Sequence, residues 1–189
     1  APARHLVDMK SYKYFIEGEP ALSLIAQLGC PFHCTFCSGR NSPFLRKIRL
    51  RDIDAVVDEV EMLYLTYGVK GFMFYDDELN VNKNMVPMMN KLCDLQDKHG
   101  VDFMLRGFVK AELFNDEQAD AMYRAGFRWL LTGFESGDPT ILSNIKKIAT
   151  RDDNTRCVNI AKRHNLKVKA LMSIGHAGES LESVENTKA

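Results

Sequence analysis

Ala21-Leu22-Ser23-Leu24-Ile25-Ala26-Gln27-Leu28 is an apolar run of strand length, and it passes through Gly29 into Cys30-Pro31-Phe32-His33-Cys34-Thr35-Phe36-Cys37. The cysteine spacing is C-x3-C-x2-C, which puts three thiolates on one short loop with no fourth cysteine nearby. A closed structural zinc site takes four ligands. A [4Fe–4S] cluster held by three cysteines keeps one iron open to a substrate or cofactor. A disulfide framework does not suit five cysteines in 189 residues, a sparse and odd set. Zinc with His33 as fourth ligand is an alternative, but His33 directly precedes Cys34 and would have to ligate from a very tight loop. Cys93 and Cys157 fall on apolar helix faces and read as inert thiols.

Working outward, the strand-length run recurs. Lys70–Tyr75, Asp102–Gly107, Arg128–Thr132 and Lys167–Ser173 repeat it, each followed by a polar turn and a helical pattern. Continuous apolar runs suit parallel strands covered on both faces. In the first helical pattern, Ile53, Val56, Val57, Val60, Leu63, Tyr64 and Tyr67 share one face, with Asp52 as N-cap and Gly68 as stop. A second pattern runs from Met85 to Gly100. A third begins at Asn115, with Gln118 placed as in a capping box, and ends at Gly126. Others open at Asp138-Pro139, run from about Arg151 to His164, and begin near Glu179. Strands alternating with helices predict an α/β fold whose right-handed βα units curl into most of a barrel or a wound sheet. Chemistry in such folds sits at the C-terminal ends of the strands. The cysteines, Asp76-Asp77-Glu78, Arg106, Glu135-Ser136 and Gly175-His176 all fall there.

The bulk numbers set bounds. A length of 189 residues is one domain, and 46% hydrophobic residues can build a sizeable core. Lysine plus arginine and aspartate plus glutamate both number 25, which argues against a surface that tracks nucleic acid. Arg40, Arg46, Lys47, Arg49 and Arg51 form a local basic group, either a solvated loop or an anion-facing rim. No apolar stretch reaches membrane-spanning length and no signal peptide is visible. A site built from free cysteines fits a reducing cytoplasm.

These residues together resemble the radical S-adenosylmethionine (SAM) superfamily over nearly the whole chain. The Cys30/Cys34/Cys37 spacing after the first strand, with Phe36 before the third cysteine, is similar to that family's signature. FYDDELN (74–80), TGFESGDP (132–139) and SIGHAGESLESVENT (173–187) look like strand-end motifs of the branch whose members often carry an upstream cobalamin-binding domain. The opening PARHLVDMKSY resembles the segment that joins that domain to the barrel. The resemblance implies a partial (β/α) barrel with five of about six βα units. Residues 1–20 would be a linker segment and 21–189 a core domain that is C-terminally incomplete. It also implies the chemistry: SAM chelates the open iron, one electron cleaves its sulfonium C–S bond, and a 5′-deoxyadenosyl radical abstracts hydrogen from substrate.

Residue roles implied by the resemblance follow by position. Cys30, Cys34 and Cys37 ligate the cluster, and Phe36 touches adenine. Asp76, Asp77 and Glu78 stand where a Gly-Gly-Glu-type motif contacts the methionine amino group. The glycine pair is missing here, so which acid does this is open. Arg106 would hold the SAM carboxylate, or pair with a nearby acid. Glu135 would bind the ribose hydroxyls or the amino-acid end of SAM, or serve as an N-terminal helix charge. Ser173, Gly175 and His176 resemble an adenine-contact strand, where glycine allows close backbone approach. The expected cofactors are the [4Fe–4S] cluster and SAM, with cobalamin in the full-length protein only. The expected partners are a small-molecule or peptide substrate and an electron donor such as flavodoxin or ferredoxin. Methyl transfer and oxidative cyclisation are the expected outcomes. A methylthiotransferase-like enzyme and a non-catalytic zinc module are the alternatives, and iron against zinc content separates the last from the others.

Overall fold

A computed structural model describes residues 2–188; Ala1, Ala189 and the Arg40 side chain lie outside it. Its main sheet has six strands: β1 (Phe15–Ile16), β2 (Glu19–Leu24), β5 (Gly71–Phe74), β6 (Met104–Phe108), β7 (Phe127–Glu135) and β8 (Lys167–Met172), in that spatial order. From β2 onward every pairing is parallel and spatial order follows sequence order. A doubly wound sheet reverses direction at a switch point. This one never does, and it curls as a half-barrel. Helices α2 (Ile53–Tyr67), α3 (Met85–His99), α4 (Asp116–Arg124) and α6 (Arg151–Arg163) fill the crossovers.

Alternation along each strand decides which side chains meet the helices. Leu22, Leu24, Phe72, Phe74, Leu105, Phe127 and Leu130 join the helices in one large core. Opposite faces of the same strands place Ala21, Met73 and Leu131 with Ile16 in a smaller concave cluster. Among the described residues no helix is long and apolar enough to cross a membrane.

Helix boundaries follow the local chemistry of the sequence. The Asp52 side chain accepts the Ala55 N–H, and Gly68 closes α2 in the left-handed region at φ 66°. Asn115 caps α4 by accepting from Gln118 N–H. The reciprocal half of the expected capping box is absent there, because Gln118 Oε1 takes Asn80 Nδ2 instead. A full capping box forms at Thr150 and Asp153, at the head of α6. α5 (Pro139–Asn144) opens on Asp138 with Pro139 in its first turn, and α7 spans Leu181–Lys188, two residues later than expected.

The strands depart from expectation in three places. First, the run 21–28 is broken. β2 ends at Leu24, and β3 (Gln27–Leu28) pairs antiparallel with β4 (Arg49–Leu50) in a separate two-stranded sheet. The break lies where the Asp76 carboxylate takes the Ala26 and Gln27 N–H groups. Second, strand pairing begins before residue 21. Phe15–Ile16 pairs antiparallel with Glu19–Pro20 across a turn whose Glu17 and Gly18 both have positive φ, 50° and 86°. Third, β7 runs on to Glu135 and β6 to Phe108, so Arg106 lies inside its strand.

Two arginines guard the outer edge of β2. Arg4 donates to Ser23 O and Arg51 to Ile25 O, and the nine-tenths buried Glu59 pairs with both at 2.5 and 2.6 Å. Edge carbonyls that would otherwise invite another strand are thereby occupied. α1 (Pro43–Arg46) lies against the cysteine loop, its Leu45 carbonyl accepting the Cys30 N–H.

Gly126 links α4 to β7 at φ 106°, and a Cβ there would lie 2.3 Å from Phe103 O. Gly126→Ala should cost about 3 kcal/mol of stability. Urea denaturation reads this as a lower midpoint, and an unchanged midpoint would show that the close approach is not required.

Candidate functional site

The cysteine loop is fixed almost entirely through its backbone. Gly29 donates to Asp77 Oδ2 at 2.7 Å, Cys30 to Leu45 O at 3.0 Å and Thr35 to Ile145 O at 2.8 Å. Gly29 is left-handed at φ 93°, and a Cβ there would lie 2.2 Å from Lys47 O. The Arg46 guanidinium caps the carbonyls of Pro31 and Phe32. From the far side the buried Lys110 ammonium lies 4.0 Å from the Phe32 ring centroid. The expected basic rim is thus taken up by structure. Arg46 holds the loop, Arg51 pairs with Glu59, and Arg49 stacks 3.7 Å over Phe44.

The three acids after β5 separate into different tasks. Asp76 is buried, and its oxygens accept Ala26 and Gln27 N–H at 2.6–3.2 Å. Burial pushes its carboxyl up to about 6, against the pull of those N–H groups. Asp77 is spent on Gly29. The Glu78 carboxyl has no hydrogen-bond partner among the described residues; burial pushes it up to about 7, against Lys110 and Lys147. Its charge acts on Cys30. Glu78 is therefore the acid that faces the loop with its carboxyl uncommitted.

A second group assembles at the ends of β7 and β8. Glu135 closes β7 in the left-handed region at φ 64°, and its Oε2 accepts from Ser173 Oγ at 3.0 Å. Ser173 Oγ lies 2.6 Å from His176 Nε2, and the His176 ring lies 5.5 Å from Phe36. Gly175, at φ 93°, makes the turn between Ser173 and His176. Lys147 Nζ stands 3.6 Å from Glu135 Oε1, nearly buried. A Cβ on Gly133 would lie 2.2 Å from that same oxygen, so glycine makes the room. Phe36, Glu135, Ser173 and His176 are brought together; Arg106 is not among them, lying mid-strand on the concave face.

Lys110 and Lys147 were not read from the sequence. Lys110 follows a strand end, and that position was a signal. Lys147 carried none, because its inward reach depends on Lys146 adopting φ 53°.

Cys30, Cys34 and Cys37 are free thiols, the first two half-buried and the last exposed. Burial raises the Cys34 thiol, and Lys147 and Lys110 both oppose that by favouring thiolate. Among the described residues no three His, Cys, Asp or Glu side chains converge as on a single metal ion. Three soft thiolates spread along a loop, with buried ammonium groups to balance their charge, fit an iron–sulfur cluster.

The Radical SAM superfamily profile matches residues 24–189. An uncharacterized methyltransferase of Pyrococcus horikoshii is 30% identical over 98% of this chain and 39% of its own length. The anaerobic magnesium-protoporphyrin IX monomethyl ester cyclase of Rubrivivax gelatinosus is 29% identical over 84% of this chain and 28% of its own length. The radical SAM methyltransferase TsrM of Kitasatospora setae, solved with cobalamin and a [4Fe–4S] cluster, superposes with TM-score 0.81 at 22% identity, over 89% of this chain and 34% of that one. The chain thus spans well under half the length of these relatives.

The Asp76 latch makes a pH-dependent contribution. Its folded-state value of about 6 lies above the ordinary 3.8, so the contribution is complete below the lower value and is lost as pH rises through the higher. The difference is worth up to about 3 kcal/mol. Asp76→Asn should flatten this slope in denaturation series across the acid-to-neutral range. A slope equal to wild type would contradict the assignment.

Proposed function

The chain belongs to the radical SAM superfamily, and on that premise we propose how its residues divide the work of an enzyme core, residues 21–189 forming the core domain. Family membership displaces the zinc-module alternative. Cys30, Cys34 and Cys37 hold a [4Fe–4S] cluster. When bound, the cluster supplies the electron for reductive cleavage of the sulfonium C–S bond of SAM. Glu78, uncommitted beside Cys30, accepts hydrogen bonds from the SAM ammonium group, which strengthens a carboxylate acceptor. Asp76 and Asp77 position the loop instead of touching SAM. Glu135 and Ser173 face the ribose hydroxyls, and Phe36 and His176 flank the adenine, with Gly175 allowing the backbone close. Lys147 balances Glu135 and Glu78 and offers a cation to the SAM carboxylate, a role the sequence had given to Arg106.

The observation that carries this reading is the meeting of the three-thiol loop with two groups at or beyond the ends of other strands, Glu78 and the Glu135–Ser173–His176 chain. For the longer protein, the relatives' names support methyl transfer or oxidative cyclisation on a small molecule. Cobalamin would come from a domain upstream. An external one-electron donor of the flavodoxin or ferredoxin kind, in the cytoplasm, completes the proposal.

Two substitutions test it. Cys34→Ala should lose the iron–sulfur absorbance of the reconstituted chain. Glu78→Gln should keep that absorbance while binding SAM at least about tenfold more weakly in equilibrium dialysis. An unaltered SAM titration would remove Glu78 from the site.

A further inference from the structure

The concave face of the sheet carries a cation, Arg106, that has no counter-ion among the described residues. Ser23, Met73, Arg106 and Trp129 lie in register across β2, β5, β6 and β7. Leu105 turns to the helix side, so Arg106 turns to the hollow of the half-barrel. A register shift after Leu105 skips Arg128 and brings Trp129 onto the same face as Arg106. Arg106 Nε is buried without a hydrogen-bond partner. The two acids that border this face are already engaged. Glu17 holds Trp129 Nε1 at 2.5 Å and Lys167 at 2.8 Å, and Glu135 holds Ser173 and Lys147. Tyr14 stands beside the guanidinium as a neutral partner: burial raises its hydroxyl, and Arg106 acts against that through its charge and a side-chain hydrogen bond. Lys169, in register with Leu131 of the concave cluster, adds an exposed ammonium group to this face.

A half-buried guanidinium without a counter-ion is costly, and the cost is recovered when an anion docks. Its planar fork matches a carboxylate in bidentate geometry. Tyr14, Phe108 and Trp129 supply flat apolar surface around it. We propose that this hollow is the substrate receptor of the site and that Arg106 selects a carboxylate borne on an aromatic body. The inference deepens the reading above, since it takes the hollow beneath the cysteine loop as the place where substrate lies.

Trp129 is the single tryptophan of the chain and a built-in reporter. Benzoate and its neutral isostere benzamide are titrated while Trp129 emission is followed, with no cluster or SAM present. Benzoate should saturate the change at a concentration at least about tenfold below benzamide. Arg106→Gln should abolish that preference, and Arg106→Lys, which keeps the charge but loses the fork, should keep only part of it. Equal responses to the two probes in the wild-type chain, or a preference that survives Arg106→Gln, would overturn the proposal. If Arg106→Gln does not fold, the wild-type comparison still decides. Because the titration needs no iron, failure of anion selection and failure of cluster assembly are read separately.

Discussion

The Asp76 carboxylate, buried under the end of β2 and taking two consecutive backbone N–H groups, is the constraint on which the site depends. A parallel strand that ran on past Leu24 would carry Ala26 and Gln27 along the sheet. Asp76 stops it, and Asp77 repeats the grip at Gly29. The chain is turned away from the sheet and delivers three thiols over its C-terminal edge. This latch is distinct from a surface ion pair, because it satisfies buried donors that otherwise go unpaired. Its charge is expensive to bury, and that expense marks how firmly the geometry is held.

Around the loop the electrostatics run one way. Burial holds the Glu78 carboxyl and the Cys30 and Cys34 thiols toward their neutral forms, and the two buried lysines oppose this from the loops after β6 and α5. Each lysine has a carboxylate of its own, Glu112 for Lys110 and Glu135 for Lys147. The site is therefore an alternation of charges, and adding cluster and ligand charge does not leave a lone ion in the interior. The hollow below differs: there Arg106 has no counter-ion among the described residues. In the proposed division of labour the upper rim would handle the cofactor, and the hollow would receive substrate.

Much of this was legible in the sequence because it rests on local chemistry. Helix caps at Asp52, Asn115 and Asp138 are set by side chains reaching two or three residues along the chain, and the cysteine spacing is itself the motif. The apolar runs gave the parallel order of β5 to β8, since repetition implies a repeated unit. What stayed hidden depends on distant partners. The break after Leu24 is made by an acid some fifty positions away. The left-handed turn at Lys146 is invisible to periodicity, and so is Lys147 beside Glu135. Glu17 reaches Trp129 and Lys167 over 112 and 150 positions, and no pattern in the hairpin announces it. Arg106 was placed at a strand end by its neighbours in sequence; the register puts it two residues deeper.

The central claim is that the loop holds a cluster with one iron open to SAM. Low-temperature EPR of the anaerobically reconstituted, dithionite-reduced chain, recorded with and without SAM, tests it most directly. A [4Fe–4S]+ signal whose shape changes on adding SAM is the predicted result. A signal indifferent to SAM, or zinc in place of iron, would contradict the account.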